Sequence, residues 1–340
     1  MFRAVSCAVL ALLALAICRA GGQISADDQP SVAEGAADAK TEPSEPPAPV
    51  KYKLALKFEP NQIVRYQIWQ ESEITTAVSG ETETAKNATQ CKRHYKVTAV
   101  DEKTGAGDLE LSIDWVHMVA SFENGNSEPQ PIEFQSDDPE KHPDKYKHIL
   151  ETVGRPRAAI RFSVQGQPLE VLWGAPRQQS PPAGAAGAAS SGAGLETTPE
   201  TYFLPLPDRA VAIGESWREQ FHLLARDSNK NLARVTIQRR YELTAVEKER
   251  ATIEFQTRVV TPSAIDDSSI AGQMIQREIS GKLVLDLERG LVLSRESGVD
   301  KTVLNPFGQK SQMSAKTVYR ERLLEDEADG EASAAATAKK

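Results

Sequence analysis

Cysteine is scarce in this chain: Cys7, Cys18 and Cys91 are the only three among 340 residues. Two of them stand inside one apolar run, Ala4 to Cys18, so no disulfide framework holds the fold together. Aromatic residues are few, at 6%, and no second apolar run is long enough to cross a bilayer. Basic charge is outweighed, with 40 Lys and Arg against 48 Asp and Glu. The resulting net charge of −8 favours solubility. It opposes nucleic acid, whose phosphates need clustered Lys and Arg.

What is present begins with an address. Met1, Phe2 and Arg3 give a short basic start, and only Ser6 interrupts the apolar run that follows. That run is too short to span a membrane as a stable helix, and Cys18-Arg19-Ala20 resembles a cleavage site. Residues 1–20 therefore read as a secretory signal peptide, which places the protein outside the cytoplasm, secreted or periplasmic, with no integral span after cleavage. Cleavage takes Arg3 and Arg19 away and makes the chain more negative by two. The alternative is a lipid anchor at Cys18. Leu15-Ala16-Ile17-Cys18 approaches a lipoprotein signal, although Ile17 stands where Gly or Ala is wanted.

Composition divides the rest. Residues 21–50 are rich in Pro, Ala, Glu, Asp and Ser and read as a disordered linker, because they lack the bulky side chains that offset ordering entropy. Residues 175–194 read as a flexible low-complexity loop, and 325–340 as a disordered tail. Folded sequence is left at 51–174 and 195–324.

Both blocks alternate with period two. Leu109, Leu111, Ile113 and Trp115 alternate with Glu110, Ser112 and Asp114. Ala251, Ile253, Phe255 and Val259 alternate with polar residues, as do Leu283, Leu285 and Leu287. One polar face and one apolar face mark antiparallel strands over a core. One helix is expected over 143–153, where Tyr146, Ile149, Leu150 and Val153 make an amphipathic stripe between Pro143 and Gly154. The blocks also resemble each other. Tyr95-Lys96-Val97-Thr98-Ala99-Val100-Asp101 matches Tyr241-Glu242-Leu243-Thr244-Ala245-Val246-Glu247, and an alternating strand follows each. The fold expected is mainly β, with antiparallel curved sheets, as a sandwich or half-barrel, in two related units. The helix is expected as an extra of the first unit.

Phe58-Glu59-Pro60-Asn61-Gln62, with Arg65 and Tyr66, and the stretch from Leu206-Pro207-Asp208 to Val211 and Ile213-Gly214-Glu215-Ser216-Trp217 resemble motifs of a family of uncharacterised secreted bacterial proteins, common in planctomycete-type bacteria. Asn61 stands where that family usually has Gly. The resemblance implies a β-rich domain and an exported location, and no activity. A broader similarity, at the level of the fold, is to the curved sheets of periplasmic lipid and lipoprotein carriers.

Chemistry is hard to find. Gly214-Glu215-Ser216-Trp217-Arg218 begins like a nucleophile elbow, but Arg218 replaces the second Gly and no helix is expected to follow. Asp227, Asn229 and Asn231 start like a calcium loop, yet Leu232 replaces the Gly and Gln238 the bidentate Glu, which leaves a hairpin tip. Asp266-Asp267-Ser268-Ser269 reads as a solvated loop. His94, His117, His142, His148 and His222 lack metal-ligand spacing. No cofactor, metal or catalytic residue is expected. The function expected is a non-catalytic cell-envelope protein whose apolar sheet face binds a lipid, another apolar ligand or an envelope protein. Trp115, Phe162, Phe255 and Leu285 are the candidate ligand or core face. Alternatives are a structural or adhesive module on a flexible stalk, and an enzyme of unknown type.

Overall fold

The computed structural model describes residues 49–125, 130–174 and 203–325. The expected signal peptide with Cys18, the linker up to residue 48, the 175–194 loop and the tail beyond Glu325 lie outside the described residues. Within them, strands β1 (Lys51–Tyr52), β2 (Ile63–Val78), β3 (Glu81–Val100), β4 (Gly107–Asn124), β5 (Ile132–Gln135), β6 (Pro156–Phe162) and β7 (Pro168–Trp173) form the first unit. The second holds β8 (Val211–Ala212), β9 (Ser216–Arg226), β10 (Leu232–Glu247), β11 (Arg250–Val259), β12 (Ser280–Asp286), β13 (Leu291–Leu304) and β14 (Ser311–Leu324).

One antiparallel sheet contains nearly all of this, in the order β7-β6-β4-β3-β2-β14-β13-β12-β11-β10-β9, with β5 added beside β4. It is not closed into a barrel, and β7 and β9 are its edges. The small β1 and β8 pair with each other. The mainly antiparallel β class expected from the alternation is what the chain adopts, as one curled sheet. Tyr66 and Tyr95 from one half lie in the same apolar cluster as Tyr241 and Phe255 from the other.

The order of strands sets two runs of five side by side in the sheet. Across the sheet, β7-β6-β4-β3-β2 is succeeded by β13-β12-β11-β10-β9 in the same sense, with β14 between them. Because every pairing is antiparallel, corresponding strands also run in the same direction. Details coincide as well. Phe162 pairs with Gly107 at the end of β6, and Leu285 pairs with Ala251 near the end of β12. Asn61 (φ 65°) and Gly214 (φ 85°) make the same left-handed turn before β2 and β9. Each donates its N–H near the far end of the next strand but one, Asn61 to the Val97 carbonyl of β3 and Gly214 to the Leu243 carbonyl of β10. Asn tolerates positive φ better than most other side chains, which suits Asn61 to a turn that Gly214 makes in the second unit.

The segments leading into the two units fill the floor of the curl. Leu54, Leu56, Phe203, Leu204, Leu206 and Val211 are buried in the central cluster. Phe203 lies edge-on to Phe162, with ring centres 5.1 Å apart, and 5.4 Å from Tyr95. Gly290 (φ 64°) lets the first lead-in cross the turn between β12 and β13, where a Cβ would stand 2.4 Å from the Lys57 nitrogen.

Two expectations about helices need correction. The stripe at 143–153 does pack on the first unit, with Tyr146 buried beside Phe134. Only Lys147–Leu150, helix α1, is α-helical, however, and Asp144–Tyr146 is a 3₁₀ turn. Thr152 takes the Ile149 carbonyl with its hydroxyl, and Val153 leaves to bridge Ile113, so the helix stops after one turn. Nor is the excursion peculiar to the first unit. The second carries α2 (Pro262–Ile265) and α3 (Ser268–Met274) at the corresponding place, between its third and fourth strands. Asp267, expected in a solvated loop, is the N-cap of α3 and accepts from the Ser269 and Ile270 N–H groups.

The alternation of β4 also breaks. A bulge falls at Asp114, between the pairs of Arg93 with Ile113 and of Lys92 with Trp115. An extra residue turns everything after it over. Asp114 turns outward to His94, 2.8 Å away, and Val116 and Met118 take the inner positions. Trp115 therefore faces out, half-buried, donating its indole N–H to Asp137 at 2.8 Å.

Candidate functional site

Strands β11 and β13 are held together by β12 only as far as Ser280, which pairs with Gln256 on one side and Gly298 on the other. Above that point the Ile279 carbonyl still accepts from the Thr257 N–H at 2.8 Å, but β11 runs on to Val259 and β13 to Leu304 with no strand between them. Helix α3 roofs the inner side of this split. It is tied to the hairpin of β9 and β10 through Gln273, which accepts from the Arg226 N–H and donates to its carbonyl, and through Asp267, which accepts from Ser228. On the other side Ser268 donates to the Asn305 carbonyl, and Gly272 lies against Pro306 so closely that a Cβ would meet it at 2.6 Å.

The split and its roof border an open cleft of about 830 Å³. Its apolar wall comes from Val259, Ala264, Ala271, Met274 and Val299. Its polar groups differ in how they are engaged. Lys301 is ion-paired with Glu278, whose other oxygen accepts from the Val259 N–H at 3.2 Å. Thr257 accepts from the Arg239 guanidinium at 2.9 Å. The hydroxyl of Thr317 is buried and has no hydrogen-bond partner among the described residues. Arg258, exposed at the mouth, donates among the described residues only to the neutral Gln256, at 2.7 Å. The Gln238 opposite it is neutral too.

The candidate face read from sequence lies elsewhere. Phe162, Phe255 and Leu285 are 1%, 4% and 0% exposed in the central cluster, and none of them lines the cleft. The voids beside that cluster, about 20 and 10 Å³, hold no more than a water molecule. Trp115, on the outer face, is in neither place. The sequence did not single out the cleft residues, because a split between strands leaves no mark on period-two alternation.

A second polar cluster sits midway along the inner face. Glu321 on β14 pairs with Arg93 and, at 3.3 Å, with Arg295, while Tyr319 accepts from Arg295 and donates to Glu321. Burial disfavours the charge on Glu321, but the two guanidiniums outweigh it and hold the carboxyl below its usual value. Arg295 and Glu321 border only the 10 Å³ void, and Tyr319 also lines a shallow, open cleft of about 390 Å³ beside Ser297 and Arg320.

The remaining candidates resolve simply. Cys91 is fully buried, and burial pushes its thiol up to about 11. Ser216 opens strand β9, and Asp227 caps a hairpin tip by accepting from the Asn229 and Asn231 N–H groups. His94 meets Asp114, His117 meets Glu133, and His222 meets Thr236. No group of three or more potential metal ligands exists among the described residues, and no helix there is long and apolar enough to cross a membrane.

Comparison with known proteins adds little. No family model matches the chain, so the likeness to secreted planctomycete-type proteins finds no support. No curated protein matches it either. Five solved chains match. One belongs to a structure described as lipid–protein interactions in lipovitellin. It is 13% identical with a TM-score of 0.41, over 79% of this chain and 26% of that one.

Proposed function

We propose that this is an exported, non-catalytic binding protein that holds a small amphipathic ligand in the cleft between β11, β13 and α3. The observation that carries the reading is the contrast in volume. The central apolar face is filled by the chain's own lead-in segments, whereas the cleft has about 830 Å³ in hand, within the range of roughly 300–1,000 Å³ usual for small-molecule sites. An apolar wall with a few convergent polar groups is the common composition of such sites. The unpartnered Thr317 hydroxyl fits a site that another group completes. Export rests on the signal-like residues 1–20. Each catalytic motif tested in the sequence lacks an indispensable member, which favours binding over chemistry.

The test is a titration with N-phenyl-1-naphthylamine, a neutral amphiphile that fluoresces in apolar surroundings. Saturable binding to the wild type, lost in Ala271→Trp at an unchanged unfolding midpoint, supports the reading. A wild type that binds no probe, or an Ala271→Trp variant with full affinity, overturns it. The filled central core then selects the second reading, a structural module of the cell envelope.

A further inference from the structure

We infer that the ligand is an anionic amphiphile, whose head group is received by Arg258 while its apolar tail passes through the split towards α3. The inference rests on the cleft being a ligand site and adds the ligand's class. Charge accounting along the cleft supports it. Three cations line it, Arg258, Lys301 and Lys316, against two acids, Glu278 and Asp300. Lys301 is neutralised by Glu278. Lys316 has Asp300 directly opposite on β13 and Glu73 directly opposite on β2. That leaves Arg258 in excess. Its cross-strand neighbour is Gln238, its hydrogen-bond partner is Gln256, and on its other side β12 has already ended.

A guanidinium in that setting offers a planar fork of donors, which matches a carboxylate or a phosphate. Its position also sets the direction of binding. Arg258 lies on the outer, wet face of β11, next to Thr257 and Val259, which face inward with the apolar wall. An amphiphile entering from outside would leave its charge on Arg258, hydrated, and bury its chain against Val299, Ala271 and Met274. The reverse orientation would carry a charge into an apolar wall and is disfavoured by its desolvation. A cationic amphiphile meets Arg258 at the mouth, and Glu278, the acid beside the apolar wall, is already engaged by Lys301.

Displacement of N-phenyl-1-naphthylamine by dodecanoate, dodecyl phosphate and 1-dodecanol tests this, because the three share a tail and differ in head group. Both anions are expected to bind about tenfold tighter than the alcohol. Arg258→Gln should erase that preference while leaving the alcohol's affinity unchanged. The ranking of the two anions identifies which head group, a free carboxylate or a phosphate, the site prefers. If 1-dodecanol binds the wild type as tightly as dodecanoate, the anionic class is wrong and the cleft reading stands. If the preference survives in Arg258→Gln, the head group is received elsewhere. If neither the probe nor any of the three binds, the cleft reading fails and the inference fails with it.

Discussion

Thr98 and Thr244 occupy the same bulge in two different hairpins and use their hydroxyls in the same way. Thr98 sits where the pairing of β3 with β4 slips between Val97 and Ala99, and donates to the Asp108 carbonyl at 3.1 Å. Thr244 sits where β10 and β11 slip between Leu243 and Ala245, and donates to the Thr252 carbonyl at 3.3 Å. A bulge leaves a carbonyl on the partner strand without its regular ladder mate, and a β-branched hydroxyl can supply the missing donor. The Thr-Ala-Val signature shared by the two blocks thus has a physical content.

Thr98→Val and Thr244→Val keep the branched shape and delete only the hydroxyl. Each should lower stability by about 0.5–1.5 kcal/mol. The two sites share no partner, so the double variant should lose the sum to within about 0.5 kcal/mol. Urea unfolding of the four proteins measures this. A cost at one site and none at the other would mean that the two bulges are alike in backbone only.

Phe255→Ala should separate core from site. Phe255 lies in the central cluster beside Tyr241 and outside the cleft. Its truncation should cost about 3–5 kcal/mol, with Leu285→Ala costing about 2–5 kcal/mol. Probe affinity in the folded protein should stay at the wild-type value for both. A selective loss of binding with little loss of stability would return the ligand to the central face.

Much of the fold was legible because it rests on local alternation. Residues from Ala251 to Val259 read as a one-faced strand and form β11. What escaped was set by relations between distant segments. Trp115 lost its inward position to a single extra residue, Asp114, whose reason is His94 on the neighbouring strand. Helix α3 is short, contains Gly272 and begins with a run of Asp and Ser, so its capping by Asp267 looked like a loop. The cleft depends on β12 starting at Ser280 while its neighbours run past it, and a difference in strand length is invisible before pairing is known. The junction of the units through β14, which pairs with both β2 and β13, is equally non-local.

Glu321→Gln should be among the most damaging single changes. It leaves the buried Arg93 and Arg295 without their acid, at a cost of about 3–5 kcal/mol. The same group predicts a pH dependence. In the unfolded chain a Glu titrates near about 4.3, and in the folded state this carboxyl titrates lower. A depressed folded value gives stability that is complete above the unfolded value and is lost as the pH falls through the folded one. Wild type should therefore weaken steeply below roughly pH 4, and Glu321→Gln should show a shallower acid limb. Equal slopes in the two proteins would remove Glu321 from that account.

Asp267→Ala tests whether the roof of the cleft is fixed by its cap. The carboxylate accepts from Ser269 and Ile270 at the start of α3, and from the Ser228 N–H and hydroxyl in the turn between β9 and β10. Burial opposes its ionisation, yet these donors outweigh it and hold the carboxyl below its usual value, led by the Ser228 hydroxyl. One side chain thus caps a helix and ties it to a hairpin. Removing it should cost about 1–2 kcal/mol, the upper range for a lost cap. The structural consequence should be local, since α3 keeps its contacts with Asn305 and Pro306 on the other side. Hydrogen exchange should quicken in 268–274 and leave β3 and β10 unchanged, because local opening draws on local contacts. Probe affinity should fall with it, as Ala271 and Met274 lose their fixed place over Val299. If exchange in α3 quickens and binding is unaffected, the ligand does not depend on that roof. If neither changes, Gln273, Ser268 and the contact with Pro306 suffice to hold the helix without its cap.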